Sequence, residues 1–162
     1  MSIDWTEILG RLAAYPPRVQ RLQPPCLPER ILALEAELGN MPTPLVQMLG
    51  HFNGAELFFK GMPFITLFGV SMVPPLPPLK WAPDWYVDKF TPAWRNAGKG
   101  RQRDWVIGIK NYGALAVMGS DASVSEWDTS AKRWSIQRFS FEDWFDDVLR
   151  EGETVLRELG GT

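Results

Sequence analysis

The chain predicts an α+β fold: N-terminal helices, a mostly antiparallel sheet of about five to six strands, and a C-terminal helix packed on it. Three observations predict it. Up to Gly54 the apolar residues recur mainly at helical spacing. Between Trp105 and Phe139, short β-prone runs alternate with turn residues at hairpin spacing. From Ser140 the helical period returns, with Phe141, Trp144, Phe145, Val148 and Leu149 on one face. A length of 162 residues suits one domain with a proper hydrophobic core.

The elements follow in order. Asp4 to Ala14 reads as a helix, with Trp5, Ile8, Leu9 and Leu12 on a shared face and Pro16-Pro17 as the stop. The chain to Leu27 reads as a linker, so residues 1–27 form an N-terminal helix and linker. Pro28 then opens a helix at a position where its missing N–H costs nothing. Ile31, Leu34 and Leu38 line its face, and Gly39 supplies the left-handed residue that ends it. After Asn40-Met41-Pro42, Thr43 is the expected N-cap and Pro44 the first helical residue. Leu45, Met48, Leu49 and Phe52 make the next stripe, and Asn53-Gly54 stops it with residues that tolerate positive φ.

Ala55 to Phe59 and Pro63 to Val70 read as extended, the latter as a largely buried strand. Met72 to Pro83 reads as polyproline-like. Lys80 to Asp104 reads as a long aromatic and basic loop insertion, with at most a short helix over Trp85 to Phe90 and a loop at Asn96 to Gly100. Trp105–Ile109, Ala114–Met118, Ser123–Trp127 and Trp134–Phe139 are the strands of an antiparallel meander. Ser140 caps the closing helix, and Gly152 is expected to break it before a short tail.

Glu35, Leu38, Gly39, Met41, Pro42, Leu49, Asn53 and Gly54 share a pattern: a helix ending in Leu-Gly, a Met-Pro turn, and a helix ending in Asn-Gly. With the later stretches IGIKNYGALAVM and FSFEDWFDDVL, it resembles the SUKH superfamily, the group of bacterial immunity proteins and fungal cell-wall assembly regulators. The three pieces cover roughly half of the chain. They imply the same α+β arrangement and carry no catalytic signature. For a bacterial chain of this length the resemblance implies an immunity protein that binds and neutralises a cognate toxin, a nuclease being one candidate. The alternative is a non-enzymatic regulatory or adaptor module, as in the fungal relatives. An enzyme or nucleic-acid binder of another type is the third reading.

Composition narrows the classes. A net charge of −2 gives no global attraction to nucleic acid or an anionic membrane. Gly61 to Leu79 carries no charge over nineteen residues, the length of a membrane span, but five prolines in it would leave backbone groups unpaired in lipid. No membrane association is expected. Acidic Asp4 and Glu7 stand where a secretory leader would be basic, and the single Cys26 cannot form an internal disulfide, so the cytoplasm is the expected compartment.

No catalytic, cofactor or metal residue is expected. His51 is the only histidine and has no ligand partner at zinc spacing. Gly98-Lys99-Gly100 lacks the rest of a phosphate loop. Glu126 and Asp128 flank Trp127 as a solvated strand face would, and Pro75 to Lys80 fits a proline-rich ligand motif but also a rigid loop.

Two charged runs remain. Lys80 to Trp105 interleaves six basic residues with aromatics, against three acids. Its rings could pin a loop to the core, anchor a protein partner, or stack single-stranded bases, the last being the least favoured. From it come the candidate partner-binding residues: Trp81, Asp84, Trp85, Trp94, Arg101 and Arg103. Glu142 to Glu158 has seven acids against two arginines, which suits a solvated helix face or a basic partner. The expected state is a monomer or weak dimer.

Overall fold

A computed structural model describes residues 3–16, 18–59, 62–71, 86–110 and 113–158. Its order is α1 (Trp5–Ala13), β1 (Gln20–Leu22), α2 (Pro28–Leu38), α3 (Thr43–His51), β2 (Ala55–Leu57), β3 (Ile65–Leu67), α4 (Val87–Ala97), β4 (Trp105–Lys110), β5 (Ala114–Met118), β6 (Ser123–Asp128), β7 (Arg133–Ser140) and α5 (Phe141–Glu158). The fold is α+β. The strands form one antiparallel meander in the order β1 to β7. Among the described residues the sheet has seven strands rather than five or six, because the segment read as a linker supplies β1: Gln20, Arg21 and Leu22 pair with Leu57, Glu56 and Ala55.

The residues of the α2–α3 pattern have individual jobs. Gly39 sits at φ 100°, which a side chain would strain, and the Glu35 carboxylate accepts the Met41 N–H at 2.9 Å across the turn. Helix α3 starts one residue earlier than expected, with Pro42 at the cap and Thr43 already helical. Of the Asn53-Gly54 pair only Gly54 has positive φ. The Asn53 amide acts differently: Nδ2 donates to Val70 O at 2.8 Å and Oδ1 accepts Val70 N–H at 2.7 Å. A side chain thereby pairs like backbone with the chain that follows β3, where an unpaired buried peptide would be costly.

Lys80 to Asp104 is not one loop. Its middle is α4, eleven residues long despite Pro92 in its interior. Tertiary packing overrides local propensity here: Val87, Thr91 and Trp94 are buried, and the Thr91 hydroxyl accepts the Val106 N–H at 3.0 Å beside a bulge in β4. The helix begins at a closed neck. Val87 N–H donates to Gly69 O at 2.8 Å, Ser71 N–H donates to Asp88 Oδ1 at 3.0 Å, and Arg30 Nε donates to Ser71 O at 2.8 Å.

Helix α5 does not break at Gly152 but runs on to Glu158. Gly152 is present because Phe58 packs against it: a Cβ there would lie 2.0 Å from the Phe58 ring. The inner face of α5 is buried in the core through Phe141, Trp144, Phe145, Val148 and Leu149. Beneath it, Lys110 of β4 meets Glu126 of β6 at 2.8 Å, and Trp144 Nε1 donates to the same carboxylate oxygen at 2.9 Å. Glu126 is 3% exposed, so it is a paired interior acid and not part of a solvated strand face. His51, at the end of α3, is exposed and stacks on Trp5 with ring centres 5.2 Å apart.

Candidate partner-binding surface

The end of α4 leads directly into the surface of interest. Gly98, at φ 68°, closes the helix, and residues 99–104 return the chain to β4. Asp104 organises this return. It is 5% exposed, and its Oδ2 accepts both Trp94 Nε1–H at 3.1 Å and the Arg101 N–H at 2.7 Å. Gly100 has to be small, since a Cβ would sit 2.3 Å from that oxygen. Arg95 locks the outside: Nε donates to Asp104 O at 2.8 Å, Nη1 donates to Leu38 O at 2.7 Å, and the guanidinium lies 4.8 Å from the Trp105 ring centre. Burial pulls the Arg95 pKa down, and the charge of Asp104 opposes this.

Two neighbouring hollows open around this turn. The smaller, of 280 Å³, lies between residues 99–104 and the faces of β5, β6 and β7; Lys99, Arg101, Ser123, Trp134 and Gln137 line it. The larger, of 730 Å³, lies between Arg95 and Arg103, the α2–α3 turn from Leu38 to Pro44, and the β5–β6 turn. The β5–β6 turn separates these basic walls from an acidic hollow that includes Asp121, Glu142 and Asp143. Asp121 has its pKa held below the ordinary carboxylate value by the Ser123 hydroxyl first, then by the Ser123 N–H, with the Arg101 charge adding a smaller contribution. Ala122, in the same turn, is held at φ 68°.

The candidate residues divide. Arg101 and Arg103 are exposed and face the smaller and the larger hollow respectively. Trp94 is only 4% exposed; its ring sits edge-on to Trp127 and Trp134 at 5.6 and 5.7 Å, so it supports the surface from beneath. Trp81, Asp84 and Trp85, together with the whole polyproline segment from Met72 to Pro83, lie outside the described residues. Their segment leaves at Ser71 and returns at Tyr86, at the start of α4, whereas Arg101 and Arg103 follow its end. Eleven helical residues separate the two points by about 16 Å.

Trp134, Gln137 and Asp121 were not among the expected site residues. The strand pairing that brings β6 and β7 under the end of α4 has no local signal in sequence, although the basic 99–103 run marked one wall. The opposite charged run is largely occupied. Asp146 and Glu153 meet Arg11 at 3.2 and 3.5 Å, Asp146 and Asp147 also meet Arg150, and Glu151 meets Lys110 at 3.4 Å.

Among the described residues, no group of three or more His, Cys, Asp or Glu side chains is arranged to hold a metal ion. Nor, among them, is any helix long and apolar enough to cross a membrane. No family model matches the chain, and no curated protein does.

Proposed function

We propose that this chain is an immunity protein of SUKH type, which neutralises a cognate toxin by forming a tight complex at the surface around residues 99–104 and the β5–β6 turn. One observation carries the reading. Lys99, Arg101 and Arg103 project at a concave surface without an ion pair among the described residues, while buried Trp94 and Asp104 hold the backbone beneath them rigid. A preorganised surface rimmed by unpaired cations binds without first ordering a loop, which lowers the cost of association. The SUKH relationship draws support from the α2–α3 pattern, because Glu35, Gly39 and Gly54 each hold a backbone turn and Asn53 pairs with Val70. The mechanism is occlusion, with the toxin's active cleft covered and charges at the rim steering encounter. The proposed setting is cytoplasmic.

The test is co-expression with the product of the adjacent gene. A stoichiometric complex that survives high salt, together with rescue from a lethal neighbour, is expected. Several weaker partners and no rescue would point to the adaptor function.

A further inference from the structure

We infer that the smaller hollow receives an acidic side chain from an extended segment of a partner protein. The inference rests on the binding reading and adds the partner's chemistry. Among the described residues that line the hollow one carboxylate is present, that of Asp104, whose Oδ2 is already engaged by Trp94 and the Arg101 amide, while Asp121 just outside accepts the Ser123 hydroxyl and N–H. The rim carries Lys99 and Arg101. Gln137 offers an amide with no hydrogen-bond partner among the described residues, and the Trp134 ring forms an apolar wall. An incoming carboxylate therefore meets two cations and an amide donor, while its methylenes lie on indole.

Size and sign narrow the occupant to protein. A volume of 280 Å³ lies at the lower edge of small-ligand pockets, which start at about 300 Å³, and accommodates a side chain more readily than a nucleotide. Directly across the β5–β6 turn the surface turns acidic at Asp121, Glu142 and Asp143. A nucleic-acid strand, with a negative charge at every phosphate, would be repelled there. A protein surface carries both signs and can match both sides of the turn.

The experiment is a titration of the ¹⁵N-labelled full chain, followed by amide and indole NMR shifts. The probes are a short capped peptide of Glu and Asp, its Gln/Asn counterpart, and an oligothymidine of equal charge. Saturable shifts at Gly100, Ser123, Gln137 and the Trp134 indole are expected with the acidic peptide only. They should weaken at least about tenfold in the Lys99→Ala/Arg101→Ala variant and as salt is raised. No localised shift with the acidic peptide, equal shifts with the neutral peptide, or tighter binding of oligothymidine would each overturn the inference. A cognate complex undiminished by Lys99→Ala/Arg101→Ala would overturn it while leaving the immunity function intact. Localised peptide binding without any toxin complex would do the reverse.

Discussion

The acids of α5 and the cations of residues 95–103 look alike in sequence: each is a charge run beside aromatic residues. In the structure they differ in what the charges meet. Helix α5 faces its acids toward Arg11, Lys110 and its own Arg150, so Asp146, Asp147, Glu151 and Glu153 all have intramolecular partners. In the 95–103 stretch only Arg95 is tied down, to two carbonyls and an indole face. Lys99, Arg101 and Arg103 are not. A run of charge thus says little about binding until the partners of each charge are known. What sets the 95–103 stretch apart is a held base under cations that make no ion pair among the described residues, Arg101 feeling only the nearby charge of Asp121.

The largest test of that contrast is Trp94→Ala. Removing a buried ring that supports Trp127, Trp134 and Asp104 should cost about 4 kcal/mol in chemical denaturation. A cost below about 1 kcal/mol would mean that Trp94 is a surface anchor and that the base is not rigid. Glu126→Ala tests the other region. It leaves Lys110 and the Trp144 N–H without their buried partner and should cost about 3 kcal/mol. An unchanged denaturation midpoint would show that the buried Glu126 does not anchor α5 to the sheet. Gly152→Ala should cost about 2 kcal/mol, because the Phe58 ring must move from the new methyl.

How much of this could be read from the chain depends on the range of the interaction. The α+β class, α2, α3 and the start of α5 follow from periodicity and from Pro and Gly punctuation, which are local. Helix α4 was legible only as a short helix over Trp85 to Phe90, because Pro92 and the loop residues from Asn96 argue against its second half, and packing on β4 reverses that. Strand β1 is three residues of ordinary sequence that become a strand by pairing with β2. Gly152 reads as a helix breaker until Phe58, far away in sequence, is seen against it. At the site, Arg101 and Arg103 were legible as exposed cations. Trp134 and Gln137 were not, since they reach the hollow through a meander register that no local pattern specifies.

The smallest expected effect sharpens the contrast most. Asp121 stands on the ridge between the basic and acidic hollows, exposed, and accepts the Ser123 hydroxyl at 2.6 Å and N–H at 3.1 Å. Its folded pKa is depressed below the ordinary 3.8. A depressed carboxylate contributes stability above its unfolded pKa and loses it as pH falls through the folded value, so the contribution is present at neutral pH and fades only below about pH 4. Asp121→Asn keeps an acceptor for Ser123 but removes the charge. At pH 7 it should shift stability by less than about 0.5 kcal/mol, as surface changes usually do, and the wild-type loss below pH 4 should become shallower. Binding should move the other way. With the ridge neutral, nothing offsets Arg101, and an acidic peptide should bind more tightly and with a steeper salt dependence. Weaker peptide binding in Asp121→Asn would mean that the ridge carboxylate orients Arg101 for the partner, and the two sides of the turn would then act as one site.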